Sequence, residues 1–558
     1  MTKRLITSAL PYSSATKHLG NLCSSLLPAD VHARFLRQQG EEVLFVCGTD
    51  DHGTPAELAA EAAGVSVAGF CAAQHEAHAA LYARYDLAFD WFGRTSSARN
   101  HELVREVILD LHRNGFLEER TVSQFYSVAD GRFLPDRYVT GTCPHCGSAR
   151  ARGDQCEACT RLLDPEDLVD PRSAISGSAD LERRDARHLY LRQDLLADRL
   201  RAWVDGSRGW SRLAVSIARK WLDEGIEARC VTRDLDWGIP VPLPGFEGKR
   251  AYVWFDAPLG YVSIVREWAD AAPGRDWTEW WSRSADVEYV QFVGKDSVPF
   301  HAVTFPATLF GAGSDIRTVD RLKAYNWLTF EGGKFSTGEG RGVFLDQALE
   351  LLPSDVWRWW LTANAPEGDD ADFSFDRLAA VTNSDLAGTF GNLANRCLRF
   401  GRSRFGGVRP HADLVAETAP GLVAELRERL AEIEAAHRDL ESRKAASATR
   451  ALWAFANARV SNHAPWEPGL APEASAARFT VALNLLRACA AAAWPIVPKA
   501  AGEVLRALGE DTDLPAWPKA EDVLDTSRAG KAFSVPDILF PRVPEESVAA
   551  WRERFAGG

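Results

Sequence analysis

Two stretches near the N-terminus decide the fold: RLITSALPYSSATKHLGN, residues 4–21, and EVLFVCGTDDHGTP, residues 42–55. Residues 4–9 read as a short strand, and residues 42–48 as a second strand whose unbroken apolar run suits burial on both faces. Between them Leu19, Leu22, Leu26, Val31 and Phe35 recur at mostly helical spacing, with a disturbance at Pro28 and a stop near Gly40. Strand, helix and buried strand in that order predict a right-handed parallel crossover in a doubly wound α/β sheet. Ligands of such sheets bind beyond the carboxyl ends of the strands, where PYSSATKHLG and GTDDHGTP both fall.

Outward from this unit, a turn-rich insertion is expected over 118–232. Sheet character returns at AYVWFDAP (251–258) and VEYVQFVGKDS (287–297), and an almost wholly helical region runs from about 375 to 510. Leu422, Leu426, Leu430, Ile433, His437 and Leu440 form one apolar stripe there, in which His437 is a half-buried packing residue. The chain of 558 residues is long enough for several structural units. Its composition, 46% apolar and 25% charged, is that of a globular protein, and its N-terminus lacks the apolar core of a signal peptide, so the cytoplasm is expected. No sequence window reads as a membrane span. A net charge of −13 argues against indiscriminate binding to nucleic acid, so a polyanion must be met by local cations.

The most specific local signal is CPHCGSARARGDQCEAC. Cys143, Cys146, Cys156 and Cys159 form two C-x2-C pairs, the spacing of a structural zinc site whose closed thiolate shell leaves no catalytic position. The other six cysteines read as buried thiols. The chain contains neither the Rossmann glycine fingerprint nor a Walker A loop. In KHLG, Gly20 allows a base or phosphate to approach the backbone while His18 and the helix start face phosphate oxygens; by itself such a histidine is more often a cap. Far along the chain, GGKFSTGEGRG presents Lys334, Ser336, Thr337 and Arg341 on a glycine-rich loop suited to triphosphate. A lysine brought against departing pyrophosphate would stabilise charge developing in the transition state.

TSALPY with HLGN, GTDDHGTP, the four-cysteine module, RDLDWGIPVP, YVWFDAPLGY, FVGKDSVPFH, GGKFST, GNLANR and APW occur in this order along essentially the whole chain. In this the sequence resembles the methionyl-tRNA synthetases of the class I aminoacyl-tRNA synthetase family. HLGN is similar to the family's form of the His-Ile-Gly-His signature, and KFSTG stands where Lys-Met-Ser-Lys-Ser would be. The resemblance implies a Rossmann-like catalytic domain in two halves, 1–117 and 233–325, split by a zinc-bearing connective insertion at 118–232. A stem-contact region with the mobile loop at 326–385 and a helical anticodon-binding domain with its tail at 386–558 would follow.

The implied activity is that of a methionine–tRNA ligase in protein biosynthesis. The methionine carboxylate attacks the α-phosphate of Mg-ATP, and the adenylate then passes to the 3′ end of tRNA(Met), initiator and elongator. By matching position, Asp50 would hold the substrate ammonium. Leu10, Tyr12, Trp254, Ala257, Pro258, Tyr261, Ser297 and His301 would enclose its side chain. His18, Gly20 and Asn21 would face ATP, with Lys334, Ser336 and Thr337 at the phosphates; Lys334, His18 and Asn21 are the implied catalytic set. Asn392, Arg396 and Trp466 match anticodon-reading positions. One Zn2+ per chain, Mg2+ with ATP, no membrane and a monomer are the expectations for cofactors and assembly.

Some positions depart from the family pattern. Lys17, in the unusual SSATK run, either adds a phosphate contact or faces solvent. Thr337 replaces the loop's second lysine, Gly338 its last serine, and Arg341 is the nearest replacement charge. Ser297 stands where an apolar residue lines the methionine pocket, a change that could relax selection. A specialised paralogue, inhibitor-resistant or activating another amino acid, and a non-catalytic zinc-containing tRNA-binding protein are therefore the alternative readings. Retention of Asn392, Arg396 and Trp466 counts against the first when it is tRNA-independent, and retention of Asp50, His18, Trp254 and Lys334 against the second.

Overall fold

A computed structural model describes residues 3–14, 16–149, 151–156, 159, 161–336 and 340–555. Its central sheet contains β1 (Lys3–Ser8), β2 (Glu42–Thr49), β3 (Trp91–Arg94), β4 (Val287–Gly294) and β5 (Arg321–Tyr325). They lie in the order β5-β4-β1-β2-β3, and every neighbouring pair is parallel. Ile6 stands opposite Phe45 in β2 and Val290 in β4, all fully buried, as strands covered on both faces require. The order reverses between β1 and β4, so the carboxyl ends of these two strands border the crevice where such sheets take ligands.

The crossover helix is interrupted. An α-helical turn at Leu19–Asn21 passes into a π-helical turn at Leu22–Leu26, and α-helix resumes at Leu27–Gln38, with Pro28 in its first turn. The extra residue of the π turn is the local reason the proline is accommodated. The expected sheet character at AYVWFDAP is a correction: only Arg250–Ala251 pairs as strand, and Val253–Asp270 is a helix. Its aromatic and β-branched residues are there because both sides of the helix are buried, not because they line a pleat.

The insertion is a long antiparallel ribbon, Leu117–Ser127 against Leu181–Leu191, with Leu117 opposite Leu191 and Ser127 opposite Leu181. The cysteine cluster lies in the chain between those strands. After β5, a small sheet joins Leu328–Phe330 to Gly333–Lys334 and Ala371–Phe373. Its two-residue turn, Glu331-Gly332, has positive φ at both positions (45° and 74°), the conformation that matches the twist of a tight hairpin.

The C-terminal part is helical, from Phe375–Val381 to Glu545–Phe555. Arg358 fastens it to the central sheet's crossover helix: fully buried, it pairs with Asp30 at 2.7 Å and donates to the carbonyls of Pro495 and Ile496, both at 2.8 Å. His437 is more deeply buried than expected and stacks on Phe35 at 4.8 Å. Among the described residues one helix, Pro472–Ala493, is long and apolar enough to cross a membrane, with 83% of that window buried inside the protein, as a core helix is. Of the six cysteines outside the cluster five are buried, and Cys230 is partly exposed.

Candidate active site

At the carboxyl ends of β1 and β2 the two signature loops are stitched together. Asp50 N–H donates to the Pro11 carbonyl and Ser13 N–H to the Asp50 carbonyl, both at 2.9 Å, so Tyr12 and Asp50 lie side by side. The Asp50 carboxylate is 5% exposed, and its Oδ1 has no hydrogen-bond partner among the described residues. Burial, then the neighbouring Asp256 and Asp51, push its pKa well above the usual carboxylate range. A buried carboxylate with a vacant acceptor is a site for a cation with N–H donors.

Aromatic groups close around it. Tyr12 meets Trp254 edge to face at 6.2 Å, and Trp254 stacks on Phe300 at 3.8 Å. Leu10 touches the space over Gly260, and Ala257, Pro258 and Tyr261 are buried on the same helix. Tyr261 Oη lies 3.0 Å from His301 Nε2, and His301 Nδ1 lies 2.8 Å from the Ser297 carbonyl. A carbonyl only accepts, so Nδ1 carries the proton and Nε2 accepts from the tyrosine. Burial lowers the His301 pKa to about 4, which keeps this relay neutral. Ser297 thus contributes its backbone carbonyl to the relay.

His18 caps the crossover helix. Its Nδ1 accepts from Gly20 N–H at 3.1 Å, while the Asn21 side chain accepts from His18 N–H at 3.1 Å. The Nε2–H tautomer follows, leaving a donor aimed away from the helix. Burial, then Lys17, lowers the His18 pKa to about 4. Phe335 of the glycine-rich loop stacks on His18 at 4.7 Å and 16°, and the Gly20 Cα faces the Leu328 carbonyl, so the two halves of the expected nucleotide site meet. Gly342 (φ 117°) is required here, since a Cβ would lie 2.1 Å from the Phe335 ring.

Lys334 is exposed, with Nζ 4.9 Å from the Trp327 ring centroid, and Ser336 pairs through its backbone with Arg341. Thr337 and Gly338 lie outside the described residues. Lys17 does not face solvent: it is 7% exposed, and burial lowers its pKa to about 8 against the opposing effect of Asp50. The guanidinium of Arg341 donates to the Phe330 carbonyl at 3.0 Å across the face of Gly333.

Sequence reasoning passed over a buried polar layer beneath Asp50. Asp51 accepts from Arg94 at 2.8 Å and Ser96 at 2.6 Å, His52 Nδ1 lies 2.6 Å from Asp256, and Trp237 Nε1–H donates to the Asp51 carbonyl at 2.7 Å. The signal was available: consecutive Asp-Asp-His at the end of a buried strand must find partners. Phe300, Phe335 and Trp327 were likewise missed, being indistinguishable from core aromatics in sequence.

Away from this site, the four cysteine sulfurs lie within 4.8 Å of one another, with Cys143–Cys159 at 3.8 Å and Cys146–Cys156 at 3.7 Å. A tetrahedral ion with metal–sulfur bonds of about 2.3 Å needs sulfurs about 3.8 Å apart, so the cluster can hold a metal ion. On the helix Asn392–Phe405, Asn392 is exposed; Arg396 lies over the Trp466 ring at 5.0 Å and donates to Ser461 at 3.2 Å. Arg399, Arg402 and Arg404 are exposed on the same helix.

The parallel sheet and the helical C-terminal part are those of a class I aminoacyl-tRNA synthetase. The family description "tRNA synthetases class I (M)" matches residues 4–398, and "Anticodon binding domain of methionyl tRNA ligase" matches residues 409–558. The methionine–tRNA ligases of Cereibacter sphaeroides and Streptomyces avermitilis are 50% and 49% identical over the full length of both chains. A structure of Mycobacterium tuberculosis methionyl-tRNA synthetase in complex with methionyl-adenylate is similar with a TM-score of 0.78 and 25% identity, covering 97% of this chain and 100% of that one. The chain belongs to the methionyl-tRNA synthetase family.

Proposed function

We propose that the chain activates L-methionine with ATP and transfers it to the 3′ end of tRNA(Met), initiator and elongator, in the cytoplasm. The observation that carries this reading is the unpartnered, buried Oδ1 of Asp50 beside an aromatic pocket, which suits an amino acid with an ammonium group and a neutral, apolar side chain. Leu10, Tyr12, Trp254, Ala257, Pro258, Tyr261 and His301 enclose that side chain, with the Ser297 carbonyl fixing the relay behind it. His18 Nε2–H, the backbone at Gly20, and Asn21 hold ATP; Lys334, Ser336 and Thr337 face its phosphates.

The substrate carboxylate is already ionised near neutral pH, so no general base is needed. Its oxygen bonds to the α-phosphorus while the bond to the bridging oxygen of pyrophosphate breaks. The protein contributes alignment and positive charge at the leaving group. Mg2+ bound with ATP would supply neutralisation of the phosphate charge. Cys143, Cys146, Cys156 and Cys159 would hold one structural Zn2+ that keeps the tip of the insertion folded. We assign 1–117 and 233–325 to catalysis, 118–232 to the insertion, 326–385 to the stem-contact region and 386–558 to anticodon reading by Asn392, Arg396 and Trp466.

ATP–pyrophosphate exchange across a panel of amino acids, followed by charging of both tRNA(Met) species, tests the reading. Methionine-dependent exchange with charging is expected. Exchange with a different amino acid and no charging would replace it with the biosynthetic paralogue.

A further inference from the structure

The indole of Trp327, 36% exposed just before the first strand of the small sheet, carries two lysines. Lys295 Nζ lies 4.1 Å and Lys334 Nζ 4.9 Å from the ring centroid. Lys295 is anchored independently, by the Asp370 carboxylate at 2.6 Å, and the same Asp370 oxygen accepts from Trp327 N–H at 2.9 Å, fixing the ring's backbone. Lys334 reaches the ring because Gly333–Lys334 pairs antiparallel with Leu328–Phe330: Lys334 stands opposite Thr329, and Trp327 is the diagonal neighbour on that face.

We infer that Trp327 is a positioning residue that cradles Lys334 in the nucleotide-free enzyme, so that ATP must draw the lysine off the ring before its phosphates are fully engaged. The inference rests on reading Lys334 as the phosphate-facing lysine. A cation over an indole is held by the ring quadrupole, most weakly where water competes. The hold is therefore small enough to be broken by a triphosphate and large enough to be measured. Elsewhere in the loop the Phe335 ring stacks on His18 and the Arg341 guanidinium donates to the Phe330 carbonyl, contacts that do not involve the Lys334 side chain.

The test is a double-mutant cycle read by single-turnover adenylate formation over an ATP series with saturating methionine. Trp327→Leu should lower the ATP KM by about two- to fivefold, the strength of an exposed cation–π contact, with the methionine KM unchanged. Trp327→Phe, a weaker cation binder, should fall between. In the Lys334→Ala background the Trp327→Leu shift should vanish, since the pair no longer exists. An ATP KM that rises or stays the same in Trp327→Leu, or an equal shift in both backgrounds, would overturn the inference while leaving Lys334's role intact. If Lys334→Ala alone forms adenylate at the wild-type rate, the phosphate-facing reading of Lys334 fails, and the inference with it.

Discussion

Asp50→Asn separates binding from stability in opposite directions. The substitution keeps the shape of the side chain and removes its charge. In the free enzyme that charge is costly: burial and the adjacent Asp256 and Asp51 raise the Asp50 pKa well above the usual range, and Lys17 opposes them only in part. A carboxyl whose folded pKa lies above its unfolded value destabilises the fold once pH exceeds the unfolded value, with the full penalty reached above the folded pKa. At neutral pH the ligand-free Asn variant should therefore melt at a higher temperature than the wild type.

Methionine binding should move the other way. Removing one partner of a buried ion pair costs about 3–5 kcal/mol, so the methionine KM in pyrophosphate exchange should rise between about a hundredfold and a few thousandfold. In the wild type, methionine affinity should also fall as pH drops through the raised Asp50 pKa, by about tenfold per unit below it, and the Asn variant should lack that limb. Exchange kinetics from pH 5 to 9 and thermal melts without ligand measure all three. A methionine KM within about threefold of wild type, or a lower melting temperature, would show that Asp50 is not the ammonium site under electrostatic load.

Lys334→Ala should slow adenylate formation by about 10²–10³-fold with the methionine KM within about twofold, because one donor to a developing charge is lost; comparable losses in KM instead would place the residue in ground-state binding. Cys146→Ser should reduce the metal content from one zinc per chain toward none after gel filtration and open residues 128–180 to trypsin; full retention of metal would contradict a four-thiolate site. Arg396→Ala and Trp466→Ala should each weaken tRNA charging, the Trp change by about 1–3 kcal/mol if it stacks on a base, while methionine-dependent exchange is unchanged; a matching loss in exchange would make their role structural.

The crossover unit was legible because a strand buried on both faces must be an apolar run, and Ile6 and Phe45 obey that rule on neighbouring strands. The order of the sheet was not, since β4 and β5 arrive after an insertion that carries no record of where they pair. AYVWFDAP misled because Tyr, Val, Trp and Phe favour strands when half-exposed, whereas here burial on all sides sets the composition. Pro258, within that helix, has no N–H to offer the Trp254 carbonyl. Lys17 and Arg341 look interchangeable in sequence as loop cations. Their environments differ because Lys17 is enclosed where its carbonyl meets Leu345 N–H, and Arg341 lies across a glycine that leaves room for its guanidinium.

The loop's missing second lysine takes on a different meaning in this setting. A chain of net charge −13 that binds a triphosphate must concentrate cations at the cleft, and a single loop lysine would be a meagre supply. Lys295, at the carboxyl end of β4, shares the Trp327 ring with Lys334, and Lys17 is buried behind His18, so three lysines come from three separate segments of the chain. Their states are unlike. Lys295 is paired with Asp370 at 2.6 Å, Lys334 rests on an aromatic face, and Lys17 is enclosed with a pKa lowered to about 8. An arriving polyanion raises the pKa of a lysine it approaches, so Lys17, lowered to about 8 by burial, has protonation to gain from ATP. Proton uptake on ATP binding, largest above pH 8 between the free and the raised Lys17 pKa and abolished in Lys17→Met, is the expected sign; uptake that survives in Lys17→Met would assign it to another group.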